Sequence, residues 1–183
     1  MLLARPVQND HELHQILELQ QLYLRGKTTN AEEKEQGFLT VIHDFDTLLQ
    51  MHRLEPGVIV KDDETLAGYA LVMTRGCGEM IPELLPMFDH FDHISYQNKP
   101  VNDYSFYVMG QICVAKPFRG QGIFDMLYEE HRNLYGNKYD FIVTEISTSN
   151  RRSLRAHERV GFKPVYQFRD EIDEWSVVLW DWS

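Results

Sequence analysis

Cysteine is scarce in this chain of 183 residues: there are two, Cys77 and Cys113, and they form no ligand pair at zinc spacing. Cys113 lies in an apolar run that suits a buried, reduced thiol, which points to a reducing compartment. Positive charge is also in short supply. Lys and Arg number 18 against 28 Asp and Glu, a formal net charge of −10, which argues against nucleic acid as a partner because its binders present a basic face to the phosphates. A field of this sign suits a cationic substrate. No apolar run approaches the ~18 to 20 residues of a membrane span, and Met1 to Val7 carries no long apolar stretch. The expectation is a cytoplasmic protein with no membrane partner. Repeats, low-complexity tracts and Pro/Gly/Ser linkers are missing too, so a single domain over 1–183 is expected, and 43% hydrophobic residues with 12% aromatics can fill its core.

What is present alternates. A helix is predicted from an Asn9 or Asp10 cap, with Leu13, Ile16, Leu17 and Leu24 on one face, and a second from about Ala31 to Leu54. After Pro56 and Gly57, Val58–Val60 and Gly68–Met73 read as a hairpin closed by Lys61–Glu64. Between about 77 and 95 the acidic, aromatic stretch with Pro82 and Pro86 reads as a helical insertion. A strand from Tyr104 to Val114, a glycine turn, and a helix with Ile123, Met126, Leu127 and Leu134 on one face come next. Phe141–Ile146 is a further strand, and Asn150 caps a helix that closes at Gly161. Strand, helix, strand implies a right-handed crossover and a parallel pair. With strands at Val165–Arg169 and Trp175–Trp182, the prediction is an α/β fold: a mixed, mostly antiparallel sheet of six to seven strands, a central parallel pair and helices on both faces.

The sharpest signal is ICVAKPFRGQGIF, Ile112 to Phe124, where a strand runs through Arg119, Gly120, Gln121 and Gly122 straight into a helix. Backbone amides and the positive end of the helix dipole then face one spot, which is an anion site. Glycine there lets a diphosphate approach the amides, and Arg119 adds positive charge. A nucleotide-hydrolase loop would need Gly-Lys-Ser/Thr after the second glycine, where Ile123 and Phe124 stand. A dinucleotide fold fits Gly120 and Gly122, but Asp125 takes the third glycine's place and Asp140 precedes the second strand rather than ending it. A strand-to-helix turn with no ligand is the remaining alternative.

The turn resembles the signature of the GCN5-related N-acetyltransferases, Gln/Arg-x-x-Gly-x-Gly/Ala after a strand with a valine about five residues earlier. Arg119, Gly122 and Val114 match, while Phe124 replaces the small last residue. Downstream, Asn150, Ser153, Gly161 and Phe162 match the family's second motif, with His157 where many members have tyrosine. The resemblance runs from about Leu2 to the end. It implies the acyl-CoA N-acyltransferase fold, with acetyl-CoA as donor and an amine-bearing small molecule or peptide as acceptor. It further implies a V-shaped gap where the strand ending at Val114 parts from the one ending at Ile146. Pantetheine would pair there with the backbone of Ile112, Cys113 and Val114, and the diphosphate would rest on Gly120, Gln121, Gly122, Ile123 and Phe124. Asn150 and Ser153 would sit near the thiol arm, or else only cap their helix.

Acetyl transfer needs an amine without its proton, a polarised thioester and a proton for the thiolate. A free alkyl amine has a pKa of about 10.4, so a base is required. Glu145 is the candidate: it interrupts the apolar strand Phe141–Ile146, where desolvation raises a carboxylate's pKa. Its place five residues before Asn150 matches the base glutamate of the ribosomal-protein alanine acetyltransferases of this superfamily. The alternative is an ion pair with Arg152 or Arg155. His157 is acid, base or a histidine packed under the sheet. Amides near Ile112 and Cys113 would polarise the carbonyl.

His90 and His93, beside Asp89 and Asp92, have too little company for a metal site, and no metal is expected. Met80, Met87, Phe88 and Phe91 are candidates for an acceptor wall, joined by Tyr104 and Tyr107, with core packing as the alternative. Trp175, Trp180 and Trp182 either cover a homodimer face or finish the core. Two functions remain open: an N-acetyltransferase acting by direct attack in a ternary complex, and a non-catalytic acyl-CoA sensor that keeps the turn without turnover.

Overall fold

The structure is a computed structural model that describes residues 1–27, 38–39, 41–80 and 85–183, without the side chains of Glu79, Met80, Pro86 and Met87. Seven strands form one mixed sheet: β1 (Leu2–Pro6), β2 (Val58–Asp62), β3 (Thr65–Met73), β6 (Phe106–Val114), β7 (Phe141–Ser147), β9 (Glu174–Asp181) and β8 (Lys163–Arg169), in that spatial order. Only β6 and β7 are parallel among the registered pairs. A two-residue hairpin pair, β4 (Ser95–Tyr96) and β5 (Lys99–Pro100), stands apart. The helices are α1 (Asp10–Tyr23), α2 (Phe45–Leu54), α3 (Leu85–His90), α4 (Ile123–Tyr135) and α5 (Arg151–Val160). None of the described helices is long and apolar enough to cross a membrane. The chain divides into two compact units, residues 1–72 with 109–134 and residues 73–108 with 135–183.

In the first unit, β1 and β2 pair antiparallel from Leu2↔Asp62 to Pro6↔Val58, and β2 turns into β3 through Asp63, whose φ is 51°. Alternation then decides which helix covers which face. Val58 and Val60 pack with Ala70 of β3 and with Ile123 and Leu127 of α4. On the other face, Arg5 and Lys61 both reach Glu12 of α1. Helices therefore lie on both faces. Gly68 is where α4 comes closest: a Cβ there would stand 2.9 Å from Cys113 O and 2.9 Å from Ile123 Cγ2.

In the second unit, the parallel pairing of β6 with β7 is registered at three positions, Phe106↔Phe141 to Val108↔Val143. Strand β7 continues antiparallel to β9 from Phe141↔Asp181 to Ser147↔Trp175, and β9 pairs with β8 across a bulge between Pro164 and Tyr166. Helix α5 starts at Asn150, whose side chain accepts from Ser153 N–H, and stops at Gly161, whose φ is 130°. Only glycine fits that stop. Besides the positive φ, a Cβ would meet Trp180 Nε1 at 2.6 Å.

Several sequence expectations need correction. The single helix expected over 31–54 does not hold: α2 begins at Phe45 with Asp44 as its cap, Leu39 bridges to Leu24, and residues 28–37 lie outside the described part. Leu24 thus follows α1 rather than lining its face. Leu134 is 39% exposed, and Tyr128, His131 and Tyr135 take the buried face of α4 with Ile123 and Leu127. Trp180 and Trp182, both half-buried, pack on Phe162 and Tyr107 respectively, with ring centroids 5.6 Å from each other.

Candidate active site

The glycine turn lies wholly in the first unit. Gly120 and Gly122 have φ of 78° and 79°, and a Cβ on either would meet nothing within 4 Å. Backbone conformation, not crowding, therefore demands glycine, and the space in front of the turn is open. Met126 N–H donates to Gly122 O at 3.0 Å, so Gly122 stands at the first turn of α4. The turn is braced from within the unit. Arg119 Nε donates to Val114 O at 3.2 Å, its guanidinium lies 4.8 Å from the centre of the Tyr23 ring, and Tyr23 Oη accepts from Lys116 N–H at 2.7 Å. Arg119 was expected to supply charge, and it also holds the turn in shape. Gln121 Nε2 donates to Pro117 O at 2.9 Å. Phe124, the departure from the family signature, turns along its own helix to Tyr128 at 5.0 Å between ring centroids. Ile112 and Val114 join the core beneath α4, and burial pushes the Cys113 thiol up to about 12 against the nearby Arg119, so the thiol is inert.

Glu145 lies in the second unit, opposite Val177 on β9, which is in turn opposite Tyr166 on β8. Alternation along β7 puts it on the face of Phe141 and Val143. That face is roofed by the segment from α3 to Tyr104. Phe91 meets Phe106 at 5.2 Å, Phe106 stacks on Phe141 at 5.3 Å, and Tyr104 meets Phe141 at 5.2 Å. Under this apolar cover the carboxyl is pushed up to about 8, first by burial and then by the charge of Asp170. Among the described residues its Oε2 has no hydrogen-bond partner, and the ion pair with Arg152 or Arg155 is not formed.

The other candidates are placed as follows. Asn150 and Ser153 make the cap described above, with Asn150 Oδ1 3.1 Å from Ser153 N. His157 is 1% exposed, on the opposite face of the second unit from Glu145: its ring packs on Phe162 at 5.0 Å, and Phe162 packs on Trp180, the partner of Ile142. Its Nδ1–H donates to Ser153 O at 2.8 Å. Burial pushes its pKa down to about 4, against the bond to the Ser153 carbonyl, which argues against an acid role. Tyr107 is also corrected as an acceptor wall. It is 0% exposed and packs on Tyr135 and Tyr139, because alternation turns it away from the Phe106 face. Tyr104 is on the roofed face, with its hydroxyl donating to Tyr96 O at 3.0 Å, and Phe88 packs edge-on against Phe91 at 5.6 Å. The side chains of Met80 and Met87 lie outside the described residues. Asp170 and Tyr23 escaped the sequence reading, since neither sits in a motif.

Comparison with known proteins bears on the family and the fold. The model of the Acetyltransferase (GNAT) family matches residues 13–162. The chain belongs to this family. Among solved structures, the ribosomal-protein-S18-alanine N-acetyltransferase of Escherichia coli shares 12% identity at a TM-score of 0.67, covering 100% of this chain and 95% of that one. The NatC complex bound to Gag peptide and CoA gives 12% and 0.65, over 98% of each chain. The acetyltransferase yncA of Salmonella typhimurium with its cofactor acetyl-CoA gives 13% and 0.62, over 100% and 94%. At such identities the likeness is one of fold. No curated protein matches the chain.

Proposed function

We propose that this acetyltransferase moves an acetyl group from acetyl-CoA to a primary amine of a small molecule or peptide, by direct attack in a ternary complex. Both compact units belong to one acetyltransferase domain over 1–183, since the family match runs across them, with residues 77–95 as its helical insertion. The observation that carries the reading is Glu145: its Oε2 is buried without a hydrogen-bond partner among the described residues, which costs stability, and a general base is a reason to keep it.

Acetyl-CoA, when bound, supplies the thioester carbon that the amine attacks. The open cradle at Gly120 and Gly122 fits a diphosphate, and the residues from Gly120 to Phe124 would hold it by their amides. The backbone of Ile112 to Val114 would hold the pantetheine arm, and the amides there would polarise the carbonyl. Glu145 takes the proton that the amine loses. With a pKa of about 8 it also lies close to an ordinary thiol at about 8.5, so the same carboxyl can return that proton to the departing sulfur. No second titrating group is then needed, which suits a neutral His157. Of the wall residues, Phe88 and Tyr104 border the acceptor, as does Met80 in the family-based reading.

The test is a thiol-release assay over an amine panel beside a coenzyme A titration. Turnover should rise with pH through about 8, as Glu145 ionises. Tight coenzyme A binding without release for any amine would instead make the protein an acyl-CoA sensor.

A further inference from the structure

The segment that covers the face of Glu145 contains a second buried polar atom that lacks a partner among the described residues. Phe91 reaches down to Phe106, but its neighbour His90 reaches the far strand, with its ring centroid 4.0 Å from Phe168 and 5.6 Å from Tyr166. Tyr166 is opposite Val177 and Val177 opposite Glu145, so the imidazole and the carboxyl share one face. Two strand spacings separate their rows, on the order of 10 Å between backbones. Among the described residues His90 Nδ1 has no hydrogen-bond partner, and neither has Glu145 Oε2. Each orphan costs free energy when the protein is empty. A ligand that pairs with both would account for the two together.

We propose that His90 is a specificity-determining residue of the acceptor site, taking a second hydrogen-bonding group of the same molecule whose amine meets Glu145. This rests on the reading of Glu145 as the base for acetyl transfer. It narrows the acceptor from any primary amine to one with a further polar group a few bonds away, as in an α-amino amide or a peptide amino terminus. A simple alkylamine would meet Glu145 and leave His90 unpaired beneath an aromatic cover. Sites built to hydrogen-bond a substrate group discriminate against analogues that lack it far more strongly than apolar pockets discriminate by size.

The experiment compares alaninamide with sec-butylamine, which has a similar skeleton without the amide, at saturating acetyl-CoA. His90→Phe keeps a ring against Tyr166 and Phe168 and removes the nitrogen. The ratio of kcat/KM for the two amines, measured in both proteins, cancels the amines' own basicities. The variant should lower that ratio by about tenfold through KM for alaninamide, leaving sec-butylamine kinetics and KM for acetyl-CoA unchanged and Tm no lower. His90→Asn, which restores a polar group, should recover part of the ratio, and it serves as the readout if the phenylalanine variant fails to fold. A ratio that survives both substitutions, or equal losses on both amines, overturns the role of His90 and leaves acetyl transfer standing. A wild-type protein that acetylates other amines of the panel but not alaninamide overturns this inference alone, and one that binds acetyl-CoA without release for any amine overturns the activity, and this inference with it.

Discussion

Glu12 is a buried carboxylate and Glu145 a half-buried one, and their surroundings could hardly differ more. Glu12, at 2% exposure, is gripped by the two guanidinium nitrogens of Arg5, approached by Lys61 Nζ at 3.7 Å, and capped by Gln8 N–H at 2.8 Å. Burial pushes its pKa up, but the bonds from Arg5 and Gln8 outweigh that and hold it below the usual carboxylate range. Glu145 has burial without the bonds and rises to about 8. One carboxylate clasps α1 to the edge of the sheet. The other opposes the fold that contains it, which supports its proposed role as the base.

Breaking the clasp should give the largest effect on stability. Glu12→Gln leaves Arg5 and Lys61 facing each other without an anion, and urea unfolding should show a loss of about 3–5 kcal/mol. An unchanged midpoint would dissolve the contrast. Two buried histidines give the next effect and sharpen the comparison, because their acid sensitivity is separate from that of the carboxylates. His131 and His157 are each pushed down to about 4 by burial, against a carbonyl that each one bonds. An unfolded imidazole titrates near 6.5, so the unfolded chain takes up protons first as pH falls. The histidine contribution to stability should be full above about 6.5 and decline toward 4, by on the order of 3 kcal/mol for each histidine. His157→Phe should flatten that decline in a series of Tm measurements, and a decline of unchanged depth would count against the burial argument.

A third carboxylate can be placed where nothing surrounds it. Gly122→Asp puts a negative charge in the open cradle of the turn, and calorimetry should find acetyl-CoA bound at least about tenfold more weakly. Unaltered affinity would remove the turn from the cofactor site. This is the smallest of the three effects, about 1.4 kcal/mol or more.

Elements set by local chemistry were legible in the sequence. Asn9, Asn150, Gly161, and the Gly120–Gly122 turn declare themselves through capping and φ alone, and the structure has them at those tasks. Faces decided by tertiary packing were not. Tyr107 and Leu134 are apolar enough for either side of their elements, and only the neighbours Tyr135 and Tyr139 settle where Tyr107 points. The helix over 31–54 was drawn too long because Asp44 caps a helix in the middle of a periodic stretch. Glu145 could be singled out because a charge interrupts an apolar strand. Its lack of a partner could not, since Arg152 and Arg155 are near in sequence while α5 packs on the other face.

The most direct test is Glu145→Gln, which keeps the shape of the side chain and cannot ionise, examined for turnover and for stability in the same preparations. The unfolded carboxyl sheds its proton near 4.5 and the folded one near 8, so the contribution of Glu145 to the stability of the wild type is lost as pH rises between those values. The variant shows no such loss. Turnover at pH 7 should fall about 10- to 1000-fold with the loss shrinking at higher pH. The free energy of unfolding should rise by on the order of 3 kcal/mol at pH 7 and show no difference at pH 4. Unaltered turnover together with a less stable variant would contradict the account, and would make Glu145 a structural carboxylate like Glu12.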